Sequence, residues 1–146
     1  MLLRLTVAFL TAVVLAAVNL AVNAALTTHP WDFHQRSHLW LSLTAALVVV
    51  LLLLAALPSR FVAASAGVVA GGVLGDLVSA HEHGGRVPNP IVVGSSAFNL
   101  ADVFVLVGVP VMVFALARFS ISRREQIDRM IPPRQWEGAL RRLLRL

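Results

Sequence analysis

Cysteine is absent from the 146 residues, which excludes a disulfide framework, a thiol nucleophile and a thiolate metal site, and leaves the redox compartment unread. Lysine is absent as well: all twelve basic side chains are arginine, a bias that fits a GC-rich bacterial genome and carries no mechanism. Charge of either sign is scarce, at 13% of residues against 58% hydrophobic, with a mean hydropathy of +0.83. That mixture is too apolar for a water-soluble domain of this length. The sequence is that of a small membrane protein.

Four stretches reach the roughly 20 apolar residues that a bilayer crossing needs: residues 5–26, 38–57, 61–80 and 98–117. The first contains Val22, Asn23 and Ala24, which resemble a small-residue cleavage site. Its apolar run is longer than a signal-peptide core and only Arg4 precedes it, so it is expected to be a retained span. Eight of the twelve arginines lie from Arg118 onward, and Arg4 and Arg60 fall on the same side of a four-span arrangement. Positive charge marks the cytoplasmic side, so both termini are expected inside a bacterial cytoplasmic membrane. The outer loops, 27–37 and 81–97, carry only Arg36 and Arg86, balanced by Asp32 and Glu82. The expected fold class is all-α: a four-helix transmembrane domain over residues 1–118, then a cytoplasmic Arg-rich amphipathic tail over 119–146.

The third span repeats small residues. Gly67, Gly71 and Gly75 recur every four residues and, with Ala63, form a stripe on one helix face that lets a neighbouring backbone approach closely. This helix is therefore expected to be buried among the others. Asp76 follows the stripe, and Asp102 sits near the start of the fourth span. An ionised carboxylate in hydrocarbon costs roughly 2.5–3.5 kcal/mol on insertion scales, so each acid is a candidate functional residue in need of a partner. The third span runs outward and the fourth inward, which brings both acids near the same outer face. Two carboxylates in one low-dielectric site do not both ionise easily; one keeps its proton while the other can deprotonate a water, the chemistry of aspartic peptidases.

The stretches "GVLGDLVSAHEHGGRV" and "AFNLADVFVLVG" resemble signal peptidase II, the lipoprotein signal peptidase, a four-helix intramembrane aspartic peptidase of bacteria. In that family the fourth helix opens with Phe-Asn-Ile-Ala-Asp, matched here by Phe98, Asn99, Leu100, Ala101 and Asp102, so the resemblance implies that Asp102 stands at a catalytic position. The family's third helix ends in Gly-Asn-Leu-Ile-Asp-Arg. Aligned on Gly75, its Asn falls on Asp76, its catalytic Asp on Ser79 and its Arg on Ala80, so the first member of the pair is missing. Family Asp and Lys positions of the first span fall on Asn19 and Asn23, and an acidic loop position on Asn89. The family's outer sheet between the first two spans shrinks to about eleven residues. With Arg86, the residues Asn19, Asn23, Asn89 and Asn99 are the substrate-binding candidates that the resemblance implies. Asp76 precedes Ser79 by three residues, about 4.5 Å deeper at 1.5 Å rise, and Ser79 is expected to lie level with Asp102.

Structural roles stand beside these. Asp102 can cap the fourth helix or bond to Asn99 and Ser79, Asp76 can pair with Arg86, and Asn19 and Asn23 can join helices by hydrogen bonds. The five histidines all fall near the outer surface; His34 and His38 have helical ligand spacing, and His81, Glu82 and His83 run together. Beside Trp31 and Trp40 they read as interfacial residues rather than metal ligands, and no cofactor is implied. After Pro132 and Pro133, Trp136, Ala139, Leu140, Leu143 and Leu144 fall on one helix side and Arg134, Arg141, Arg142 and Arg145 on the other. That segment is expected to lie on the inner leaflet, each Arg contributing about 1 kcal/mol near anionic lipid. Its apolar face is too regular for a nucleic-acid-binding arm.

The sequence thus points to a signal peptidase II-like membrane protein that binds a transmembrane or lipidated signal segment, or a partner membrane protein, with reduced or absent proteolysis. The enzyme alternative is an active peptidase using Asp76 and Asp102. A small transport or ion-handling subunit is a third class, but the fourth span offers no polar path to the cytoplasm.

Overall fold

The structure is a computed structural model that describes residues 1–124; the expected amphipathic segment with Arg134, Trp136, Arg141, Arg142 and Arg145 lies outside the described residues. Four long helices dominate: α1 (Leu2–Ala25), α2 (His38–Ala55), α3 (Arg60–Glu82) and α4 (Leu100–Ser122). All four are long and apolar enough to cross a membrane. The chain is a multi-spanning membrane protein built as a four-helix bundle. It divides into two units, Met1–Ala115 and a second beginning at Leu116.

Within the first unit α3 is the central helix: 67% of its most apolar window is buried, against 22% in α1 and 17% in each of α2 and α4. The glycine stripe explains this. A Cβ on Gly67 would lie 2.7 Å from the Ala8 carbonyl oxygen, one on Gly71 2.8 Å from Leu15 Cβ, and one on Gly75 2.7 Å from the Asn19 amide. The α1 face turned toward them is Ala8, Ala12, Ala16 and Asn19, all buried. Lipid tails provide no hydrophobic drive between helices, so close backbone approach and dispersion must hold the pair. Gly72 serves a different neighbour, since a Cβ there would meet the Ala101 carbonyl oxygen at 2.7 Å. On the remaining side Leu51 and Ala55 of α2 join Ala63, Ala66, Val69 and Ala70 in the buried cluster.

Helix starts follow local chemistry. Ser37 and Ser59 accept hydrogen bonds from the Trp40 and Val62 N–H groups at the starts of α2 and α3. The fourth helix begins at Leu100, two residues later than expected, because Ser96–Phe98 is a strand.

The outer connections correct the all-α expectation. β1 (Phe33–Gln35) pairs antiparallel with β2 (Arg86–Pro88), and β3 (Ile91–Val93) with β4 (Ser96–Phe98). Arg36 N–H adds a 2.8 Å bond to the Gly85 carbonyl. The β3–β4 turn places Gly94 at φ +63°, a left-handed position that glycine occupies without strain. Three-residue strands are too short to show an alternating pattern, which is why they read as loop. The two outer two-stranded sheets are small, yet they fix where Arg36, Asn89 and Asn99 stand.

Candidate functional site

Asn99, fully buried between β4 and α4, organises the outer end of the bundle. Its side-chain oxygen accepts the Asp102 N–H at 3.0 Å, while its own N–H donates to Asp102 Oδ2 at 3.0 Å. This reciprocal pair is a capping box, with the acid on the first turn of α4 where the positive end of the helix dipole favours it. Asp102 is therefore a cap. The Asn99 amide then donates to Asp76 Oδ1 at 2.8 Å, with longer contacts to Asn89 Oδ1 at 3.3 Å and the Pro88 carbonyl at 3.4 Å. One asparagine thus links the two acids.

The surrounding residues hold it there. Asn89, buried after β2, donates from its amide to the Ala97 carbonyl at 3.2 Å, lies 3.0 Å from His34 Nδ1, and gives its N–H to the Asp32 carbonyl. Asn19, also fully buried, accepts the Ala101 N–H at 2.9 Å, so α1 satisfies an otherwise orphan amide at the start of α4. Asp76 Oδ2 faces Arg36 Nη2 at 3.9 Å, and the Arg36 guanidinium lies 4.6 Å from the Trp40 ring centroid.

Asp76 and Asp102 open on one cleft of about 440 Å³. Trp40, Thr44 and Leu47 of α2 line one side, Val105 and Leu106 of α4 the other, and Val73 lies beside Asp76 on α3. Arg36 completes the lining at its outer end. The cleft is apolar along its helical walls and polar where the acids sit.

Ser79 lies elsewhere. It lines a separate cavity of about 320 Å³ with Asn23, Glu82 and His83, and its hydroxyl accepts from the Asn23 amide at 3.4 Å. Three residues turn a helix by about 300°, which rotates Ser79 toward α1 while Asp76 faces α4. Ser79 therefore lines a different cavity from Asp102, whereas Asp76 and Asp102 line the same cleft. Asn23 keeps one buried oxygen without a hydrogen bond. Arg86 does not pair with Asp76 as expected; it is exposed on β2, 5.6 Å from the Phe33 ring centroid, and Arg36 takes the place beside Asp76. Asn89 and Asn99 are brought into one hydrogen-bonded cluster with the acids, Asn19 bonds beside it to the Ala101 N–H and keeps a buried amide nitrogen without a hydrogen bond, and Asn23 and Arg86 lie outside the cluster. Arg36 and Trp40 were legible only as an outer charge and an interfacial aromatic; an arginine on the side poor in arginines was the available signal. Among the described residues no three His, Asp or Glu side chains gather as a metal site.

Comparison of the chain with family models, with curated proteins and with solved structures gives no match.

Proposed function

We propose that this chain is a signal peptidase II-like protein of the bacterial cytoplasmic membrane that receives a transmembrane or lipidated signal segment in the cleft between α2 and α4. The observation that carries the reading is the cleft itself: apolar helical walls ending at two acids, Asp76 and Asp102, with Arg36 and Trp40 at the outer end. An apolar helix entering from the lipid finds walls of Leu47, Val105 and Leu106, and its outer, polar end meets the acids and the arginine. Segment capture needs only this shape and polarity. Both carboxylates are also engaged structurally, Asp76 by Asn99 and Arg36 and Asp102 by the Asn99 N–H, which favours binding over turnover.

Hydrolysis by Asp76 and Asp102 is the second reading, favoured because the two acids share one cleft. In that case one carboxyl donates a proton to the scissile carbonyl while the other takes a proton from the attacking water. A labelled prolipoprotein signal segment in bicelles separates the two. Under capture, wild type binds the segment and releases no product, and Leu106→Trp, which adds bulk at the cleft wall, weakens binding. Cleavage by wild type that vanishes on Asp76→Asn and on Asp102→Asn, with unfolding temperatures unchanged, establishes the peptidase instead.

A further inference from the structure

The outer ends of α2 and α3 enclose another cavity, of about 470 Å³, which shares Arg36 with the acid cleft. Gln35, Arg36, His38 and His81 supply its polar lining, and Leu41 and Leu77 its apolar wall. None of the described residues that line it is acidic. His38 opens α2 and His81 lies at the end of α3, so the cavity sits where two membrane-length helices leave hydrocarbon, at the level of lipid headgroups.

Arg36 is under-satisfied there. Its Nε is buried without a hydrogen bond, and the 3.9 Å approach of Nη2 to Asp76 is an ion pair too long to be a hydrogen bond. Trp40 covers one guanidinium face, which leaves the edge donors for an incoming acceptor. A planar fork of N–H donors suits a phosphate group bidentately, and phosphate is the anion that phospholipid headgroups supply at this depth. The nearest opposing charge is Asp76, which faces Arg36 from the cleft side.

We propose that this cavity binds the phosphate of a phospholipid headgroup, with Arg36, His38 and His81 around the phosphate, Gln35 at the rim, and an acyl chain descending past Leu41 and Leu77. This site is independent of the signal-segment reading, although a phosphate here draws on the same guanidinium that approaches Asp76.

Native mass spectrometry of the full chain, released from detergent with added lipid, tests it. Phosphatidylglycerol should be retained about tenfold better than diacylglycerol with the same acyl chains. The double variant His38→Ala/His81→Ala should lose about that factor, and Arg60→Gln, at the opposite end of α3, should lose nothing. Arg36→Gln should also lose retention, but the two exposed histidines keep the test free of any folding defect it causes. Inorganic phosphate is the competing source: if it alone raises the unfolding temperature as much as phosphatidylglycerol, and the histidine variant abolishes the rise, the phosphate site stands with a soluble ligand. Equal retention of the two lipids, or a histidine variant that retains phosphatidylglycerol like wild type, overturns the proposal.

Discussion

Replacing Asn99 tests whether one side chain both caps α4 and holds the Asp76 carboxylate. Asn99→Ala removes the acceptor for the Asp102 N–H and the 2.8 Å donor to Asp76. Loss of an N-cap costs about 1 kcal/mol, and loss of a hydrogen bond to a buried charged group about 1.5–3 kcal/mol. Because Asn99 is fully buried, water cannot replace either bond without a rearrangement, so the expected loss is about 2.5–4 kcal/mol. Asn99→Ser keeps an oxygen that can cap α4 but no amide, and should lose about 2 kcal/mol. Asn99→Asp keeps the cap and turns a carboxylate oxygen toward Asp76 Oδ1, so it should be at least as damaging as alanine. Reversible unfolding in bicelles measures all three. An alanine variant within about 0.5 kcal/mol of wild type, or an aspartate variant as stable as wild type, refutes the assignment.

Gly72→Ala should destabilise the bundle by about 1–3 kcal/mol in the same assay, the usual cost of overpacking, because its Cβ would meet a backbone oxygen, that of Ala101, at 2.7 Å; a neutral result would mean that α3 and α4 do not approach there. The chain has no native cysteine, so Ser95→Cys and Ser122→Cys can be labelled singly in intact cells. They should label from opposite sides, and labelling of both from outside would contradict the four-span orientation. In the tail, replacing Arg141, Arg142 and Arg145 by Gln in a peptide of residues 133–146 should weaken binding to anionic vesicles by about 1 kcal/mol per residue and to neutral ones much less. Equal losses on both would remove the electrostatic argument.

The long helices were legible because hydropathy over some 20 residues is a strong signal, and α3's central place followed from its glycine stripe. The helix faces were harder to assign. Sequence placed Asp76 and Ser79 one turn apart but not which of them faces α4, because a rotation of about 60° separates their directions and neighbours decide it. Asp102's capping role was open to reading from Asn99 three residues before it. Arg36 was not legible as Asp76's partner: it arrives through a three-residue strand paired with β2, and pairing between segments some 50 residues apart leaves no local pattern. The Asn19 bond to Ala101 is of the same long-range kind.

Site-specific photocrosslinking tests the central claim most directly. With a photoreactive residue at Thr44 or Leu106, on the two walls of the cleft, or at Phe9 or Leu53, which are exposed on the helix surfaces, the full-length protein is mixed in bicelles with a prolipoprotein signal segment and illuminated. Capture in the cleft predicts adducts from Thr44 and Leu106 that an unlabelled segment competes away, and few from Phe9 and Leu53. Adducts of equal yield from all four positions, or none from the cleft walls, would contradict it.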